Sequence, residues 1–237
     1  MDAIMDAAPA PPRARAPRAT RTARRLGWLV PTAIIALGLI PIIANALRRA
    51  ALSMGAGGAG AEPAAPLTLA VLLHIVGATI FVILGAFQLS AGLRRNRPAW
   101  HRTAGRLLLG IGLVAALSGL WLSVSSALAG GSELLFVLRL LAGTGMAVSI
   151  VLGFAAIRRR DVARHRAWMI RAVAIGLGAG TQVFTLGLGE AILGETELSV
   201  ALLNGAGWAI NLAVAELVIR RPKRRGRPSA ARVAALP

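Results

Sequence analysis

Two stretches of this chain set reactive side chains out in the same order: "RRNRPAWHRTAGR" at 94–106 and "RRRDVARHRAWMIR" at 158–171. Each runs from a basic cluster to a His-Arg pair and then to a further Arg, giving His101, Arg102 and Arg106 in one and His165, Arg166 and Arg171 in the other. Imidazole carries protons near neutral pH and ligates metals through either ring nitrogen. Guanidinium pairs with carboxylate or phosphate through two parallel hydrogen bonds. Gln88 lies just before the first cluster, and Glu216 is an isolated acid at the same end of the last apolar run. Gln88, His101, Arg102, Arg106, His165, Arg166, Arg171 and Glu216 therefore frame a candidate ligand site, with Glu216 expected to pair with Arg106 or Arg171. Its ligand would be an anionic headgroup, a phosphate or the propionates of a cofactor.

A second candidate layer comes from polar residues inside apolar runs, where an ionisable group is costly enough to raise a functional question. His74 sits there with Arg139, Gln182, Glu190 and Asn204, and Arg139 either snorkels outward or turns to an acid such as Glu190. Interhelical hydrogen bonds that glue a bundle are the plainer use of the same residues.

The elements that must position these groups are membrane helices. The chain is 56% hydrophobic and 15% charged, with a mean hydropathy of +0.68, which is too apolar for a soluble domain. Six apolar segments, about 27–47, 67–93, 107–129, 134–157, 169–190 and 198–219, each reach the ~20 residues needed to cross a bilayer as a helix. The fold class is an all-α membrane protein, a bundle of six transmembrane helices. Residues 1–26 and 220–237 read as disordered basic tails around a membrane domain at 27–219, and 53–66 as a Gly/Ala/Pro-rich connector. Ala44-Asn45-Ala46 has the form of a signal-peptide cleavage site, but the apolar run before it is long for a signal core, so the first span is expected to be retained.

Charge orients the bundle. Twenty-four of the 27 Lys and Arg residues fall in 1–26, 94–106, 158–171 and 220–237, which six spans put on one side. The positive-inside rule makes that side cytoplasmic, with both termini there, and the chain is expected in a cytoplasmic (inner) membrane. The net charge of +18 thus reads as orientation and contact with anionic headgroups, and nucleic acid is not an expected partner.

The chain has no cysteine, which excludes disulfides, iron–sulfur clusters, thiolate zinc sites and c-type haem attachment. A b-type haem needs only two axial imidazoles. His101 and His165 share a depth and are the one candidate pair, whereas about 19 residues of helix, close to 28 Å, separate His74 from their end. No P-loop, G-x-S-x-G or H-E-x-x-H motif occurs, and "GAGGAG" in the connector follows no strand. Small residues at four-residue spacing (Gly145, Ser149, Gly153; Ala172, Gly176, Gly180; Gly205, Ala209, Ala213) predict close helix packing.

The residues also carry a resemblance. "HIVGATIFVILGAFQL", "LRRNRPAWHRTAGRLLL" and "HRAWMIRAVAIGLGA" contain His74, Gly85, Gln88, His101, Arg102, Gly105, Arg106, His165, Arg166, Trp168, Met169 and Arg171. That pattern, over roughly 67–190, resembles the bacterial membrane-protein family called domain of unknown function 2306. The resemblance implies that the His-Arg signatures do more than set topology. Three functions stay open: a redox or anionic-ligand module built on the His/Arg clusters, a small transporter using both polar layers, and a non-catalytic scaffold.

Overall fold

The computed structural model describes residues 21–54 and 68–221, with side chains from Trp28 onward. The described residues form eight helices and no strand: α1 (Arg21–Ser53), α2 (Leu69–Leu89), α3 (Ala91–Asn96), α4 (Pro98–Leu128), α5 (Glu133–Arg158), α6 (Val162–Gly176), α7 (Gly178–Leu193) and α8 (Glu197–Arg220). Five are long and apolar enough to cross a membrane. The pair α6 and α7, bent by 43° at the break between them, is together long and apolar enough to be a sixth candidate. The fifth apolar segment, expected as one continuous helix, is therefore broken at Leu177, between Gly176 and Gly178. α1 runs unbroken through Ala44-Asn45-Ala46 and begins at Arg21, inside the stretch read as tail. Residues 1–20, most of the 53–66 connector and 222–237 lie outside the described residues.

Local chemistry sets the ends. Hydroxyl oxygens of Thr68, Ser90, Ser132 and Thr196 accept from backbone N–H groups in the first turns of α2, α3, α5 and α8, and the Asp161 carboxylate does so for α6. Pro98 opens α4, where its missing N–H costs nothing. The two turns on the other face use Gly130 and Gly194 at positive φ, a region that L side chains enter only at a cost.

α2 packs against α4 and α5 against α6, so both basic turns belong to tightly packed hairpins; α4 joins the hairpins through α5, and α8 closes against α5, α6 and α7. α1 lies outside, against α2 and α7. Phe81 and Ile150 are almost fully buried at the centre. Gly112 of α4 faces both of their side chains, and Gly176 of α6 faces Phe81 from the other side, so the ring lies where three helices meet. Large apolar side chains such as Leu117, Trp121, Leu141, Leu188 and Leu217 are exposed, as lipid-facing residues must be. One packing expectation fails: Ala209 and Ala213 of α8 are exposed, and the inward stripe is Ala201, Asn204, Gly207 and Ala215. Neighbouring helices, not the four-residue spacing itself, select which face turns in.

Candidate functional site

The polar residues inside the spans converge. His74 (α2), Ser123 (α4), Arg139 (α5), Gln182 (α7) and Asn204 (α8) line one cavity of about 380 Å³ at the end of the bundle away from the basic turns. His74 and Arg139 sit five and six residues into their helices, so they lie roughly 8–9 Å below the helix ends at ~1.5 Å per residue. Phe81, Met146, Ile175, Gly176 and Trp208 line the deeper, apolar part. The break between α6 and α7 therefore lies at the deep end of the cavity, where irregular backbone at membrane depth is tolerated.

Each polar side chain is held by a specific contact. The Nδ1 of His74 donates to the Ala115 carbonyl at 2.9 Å, because a carbonyl can only accept. Gly119, one turn further along α4, leaves room for the ring: a methyl there would come within 2.9 Å of Cε1. Gln182 donates through Nε2 to the Asn204 carbonyl at 2.9 Å, and Gly207 makes room for its chain. Asn204 donates through Nδ2 to the Val200 carbonyl at 2.7 Å, and the Ser123 hydroxyl donates to the Gly119 carbonyl at 2.8 Å. Arg139 is the exception. Its half-buried guanidinium makes no hydrogen bond or ion pair with any described residue, Glu190 included. The acid suggested by the sequence neither pairs with it nor lines the cavity.

The other candidate site lies at the basic end. Gln88 donates through Nε2 to the His101 carbonyl at 3.2 Å, while Gln88 Oε1 and His101 Nδ1 are buried without a partner among the described residues. His101 and His165 are each the fourth residue of their helix, in the first turns of α4 and α6 directly after the two basic turns. His165 donates through Nδ1 to the Gly153 carbonyl at 2.8 Å, which leaves Nε2 as its free nitrogen. Of the two partners suggested for Glu216, the structure selects Arg171, at 2.6 Å; Arg220 adds a second contact at 3.4 Å. Arg171 also lies over the Trp168 ring, 4.7 Å from its centroid. Arg102, Arg106 and Arg166 are exposed and form no ion pair with a described residue.

Ser123 and Trp208 are cavity residues that the sequence reading did not single out. An in-span Trp and a serine one turn after a glycine are weak signals on their own. Glycines facing bulky polar groups, Gly119 for His74 and Gly207 for Gln182, are the better clue, but only the tertiary structure pairs them.

This is a polytopic helical membrane protein with a polar cavity within its bundle. A family model described as "Predicted membrane protein (DUF2306)" matches residues 71–219, and the chain belongs to that family. The match starts after α1, which lies outside it. No curated protein and no solved structure matches the chain.

Proposed function

We propose that the protein is a membrane-embedded binding module for a small anionic solute, held in the cavity by Arg139. The carrying observation is the guanidinium itself: it faces a cavity, at membrane depth, with no partner among the described residues. Burying an unpaired charge costs free energy that a ligand carboxylate returns by forming a charge-assisted pair. A volume of about 380 Å³ is within the range of small-molecule sites. With the basic turns on the cytoplasmic side, as charge bias directs, the cavity opens outward. The exposed Arg102, Arg106 and Arg166 then hold anionic headgroups of the inner leaflet. The bend between α6 and α7 supplies a hinge at the deep end of the cavity, which favours transport of the solute over simple retention.

The test is ligand-dependent thermal stabilisation of the full chain in lipid nanodiscs, screened over small carboxylates and amino acids. A compound that stabilises the wild type but not Arg139→Gln supports the reading. Binding indifferent to Arg139→Gln, or no binding by any compound, refutes it.

A second reading concerns the basic end. His165 has its Nδ1 anchored and Nε2 free, as ligating histidines usually do, and His101 takes the same first-turn position on α4. That pair would hold a b-type haem. A Soret band in the purified protein, lost in the double variant His101→Ala/His165→Ala, supports this reading, and a colourless protein expressed with ample haem refutes it.

A further inference from the structure

The hydrogen bonds around the cavity decide more than the sign of the ligand's charge. Three polar side chains of the lining, His74, Gln182 and Asn204, each point a donor at a backbone carbonyl. The Nδ1 of His74 is committed to the Ala115 carbonyl, Gln182 Nε2 to the Asn204 carbonyl, and Asn204 Nδ2 to the Val200 carbonyl. These assignments cannot be inverted, because neither an amide oxygen nor a bare imidazole nitrogen can donate to a carbonyl. The free ends are therefore His74 Nε2, Gln182 Oε1 and Asn204 Oδ1, and none of the three is sealed away from solvent. The Ser123 hydroxyl spends its proton in the same way and leaves only lone pairs. Against these acceptors the cavity sets one strong donor, Arg139.

A simple organic anion would satisfy Arg139 and leave every acceptor unmatched. Inorganic phosphate would bring more negative charge than one guanidinium offsets, and set its oxygens against the acceptors. We infer that the ligand is a small zwitterion of amino-acid type, with its carboxylate on Arg139 and its ammonium donating to His74 Nε2, Gln182 Oε1 and Asn204 Oδ1. An ammonium has three donors and no acceptor, which is the complement of those three groups. Its cationic character also suits the Trp208 ring in the same cavity. Phe81, Met146 and Ile175 supply an apolar surface for the side chain of the ligand. This inference rests on the anion-binding reading of Arg139 and specifies the chemistry of that same site.

The experiment compares three probes on the full chain in nanodiscs: L-leucine, 4-methylpentanoate (the same skeleton without the ammonium) and isopentylamine (without the carboxylate). L-leucine should bind at least about tenfold more tightly than either truncated probe, since each leaves one half of the site's hydrogen bonding unmatched. Asn204→Leu should lower the preference for L-leucine over 4-methylpentanoate at least severalfold, a change of ratio that general damage to the fold would not produce. Equal or tighter binding of 4-methylpentanoate, lost in Arg139→Gln, overturns the zwitterion and leaves the anion site standing. Binding of gluconate in preference to L-leucine also overturns it, in favour of a polyhydroxy acid. If no carboxylate binds at all, both readings fall together.

Discussion

Arg139 should cost the empty protein stability, and removing it should reveal that cost. Translocon insertion scales charge about 2.5–3.5 kcal/mol for Arg at the centre of a membrane helix, and the cost falls toward the interface. Arg139 lies six residues into α5, roughly 9 Å from its end, so an intermediate figure applies, about 1 kcal/mol after allowance for snorkelling. Arg139→Leu therefore stabilises the ligand-free protein by about 1 kcal/mol, or some 2–4 °C for a chain of this size. Ligand reverses the order. At a hundredfold its Kd, a ligand stabilises the wild type by about 2.7 kcal/mol, and the variant gains nothing. Thermal unfolding of both proteins in nanodiscs, with and without ligand, reads all four states. If Arg139→Leu instead destabilised the ligand-free protein by more than about 1 kcal/mol, the guanidinium would have a structural partner, and the reasoning from an unpaired charge would fail.

Gly112→Val should destabilise the bundle by about 1–3 kcal/mol, because even a Cβ there would lie 2.6 Å from the Phe81 ring and 2.8 Å from Ile150; the loss is measurable as a lower unfolding midpoint. Glu216→Gln should cost about 1 kcal/mol by breaking the interhelical pair with Arg171. Arg220→Ala should change the midpoint little, since that arginine is largely exposed and bonds at 3.4 Å. Gly207→Leu should displace Gln182, whose Cγ would lie 2.6 Å and backbone N 3.2 Å from a Cβ at 207, so it should weaken ligand binding and lower the unfolding midpoint together. The chain has no native cysteine, so single substitutions report topology cleanly: a membrane-impermeant maleimide added to whole cells should label Ala129→Cys and not Arg97→Cys.

Much of the architecture was legible without coordinates, because a bilayer admits few solutions. A helix that satisfies its own backbone groups must run about 20 apolar residues, so the spans could be counted from uncharged runs. The clustering of arginine at alternate connections then paired the helices into hairpins. Hydropathy does not report a break that leaves both sides apolar, so the bend at Leu177 was invisible: Gly176 and Gly178 look like the other in-span glycines. The stripe of Gly205, Ala209 and Ala213 misled for a related reason, since three small residues at four-residue spacing mark a smooth face but not what that face meets.

Sequence by itself determined the class of the protein, the apolar helices it is built from, and a short roster of polar residues too costly to bury without purpose. Those conclusions follow from the free energy of placing single groups in hydrocarbon, which depends on local composition. Tertiary structure alone decided which of those groups meet. His74, Gln182 and Asn204 come from segments up to 130 residues apart, and close packing at glycines brings them around one cavity. Arg171 won Glu216 over Arg106, and Arg139 was left with no acid among the described residues. Hydrogen bonds need approach within about 3 Å and a set direction, and no one-dimensional pattern of residues specifies either.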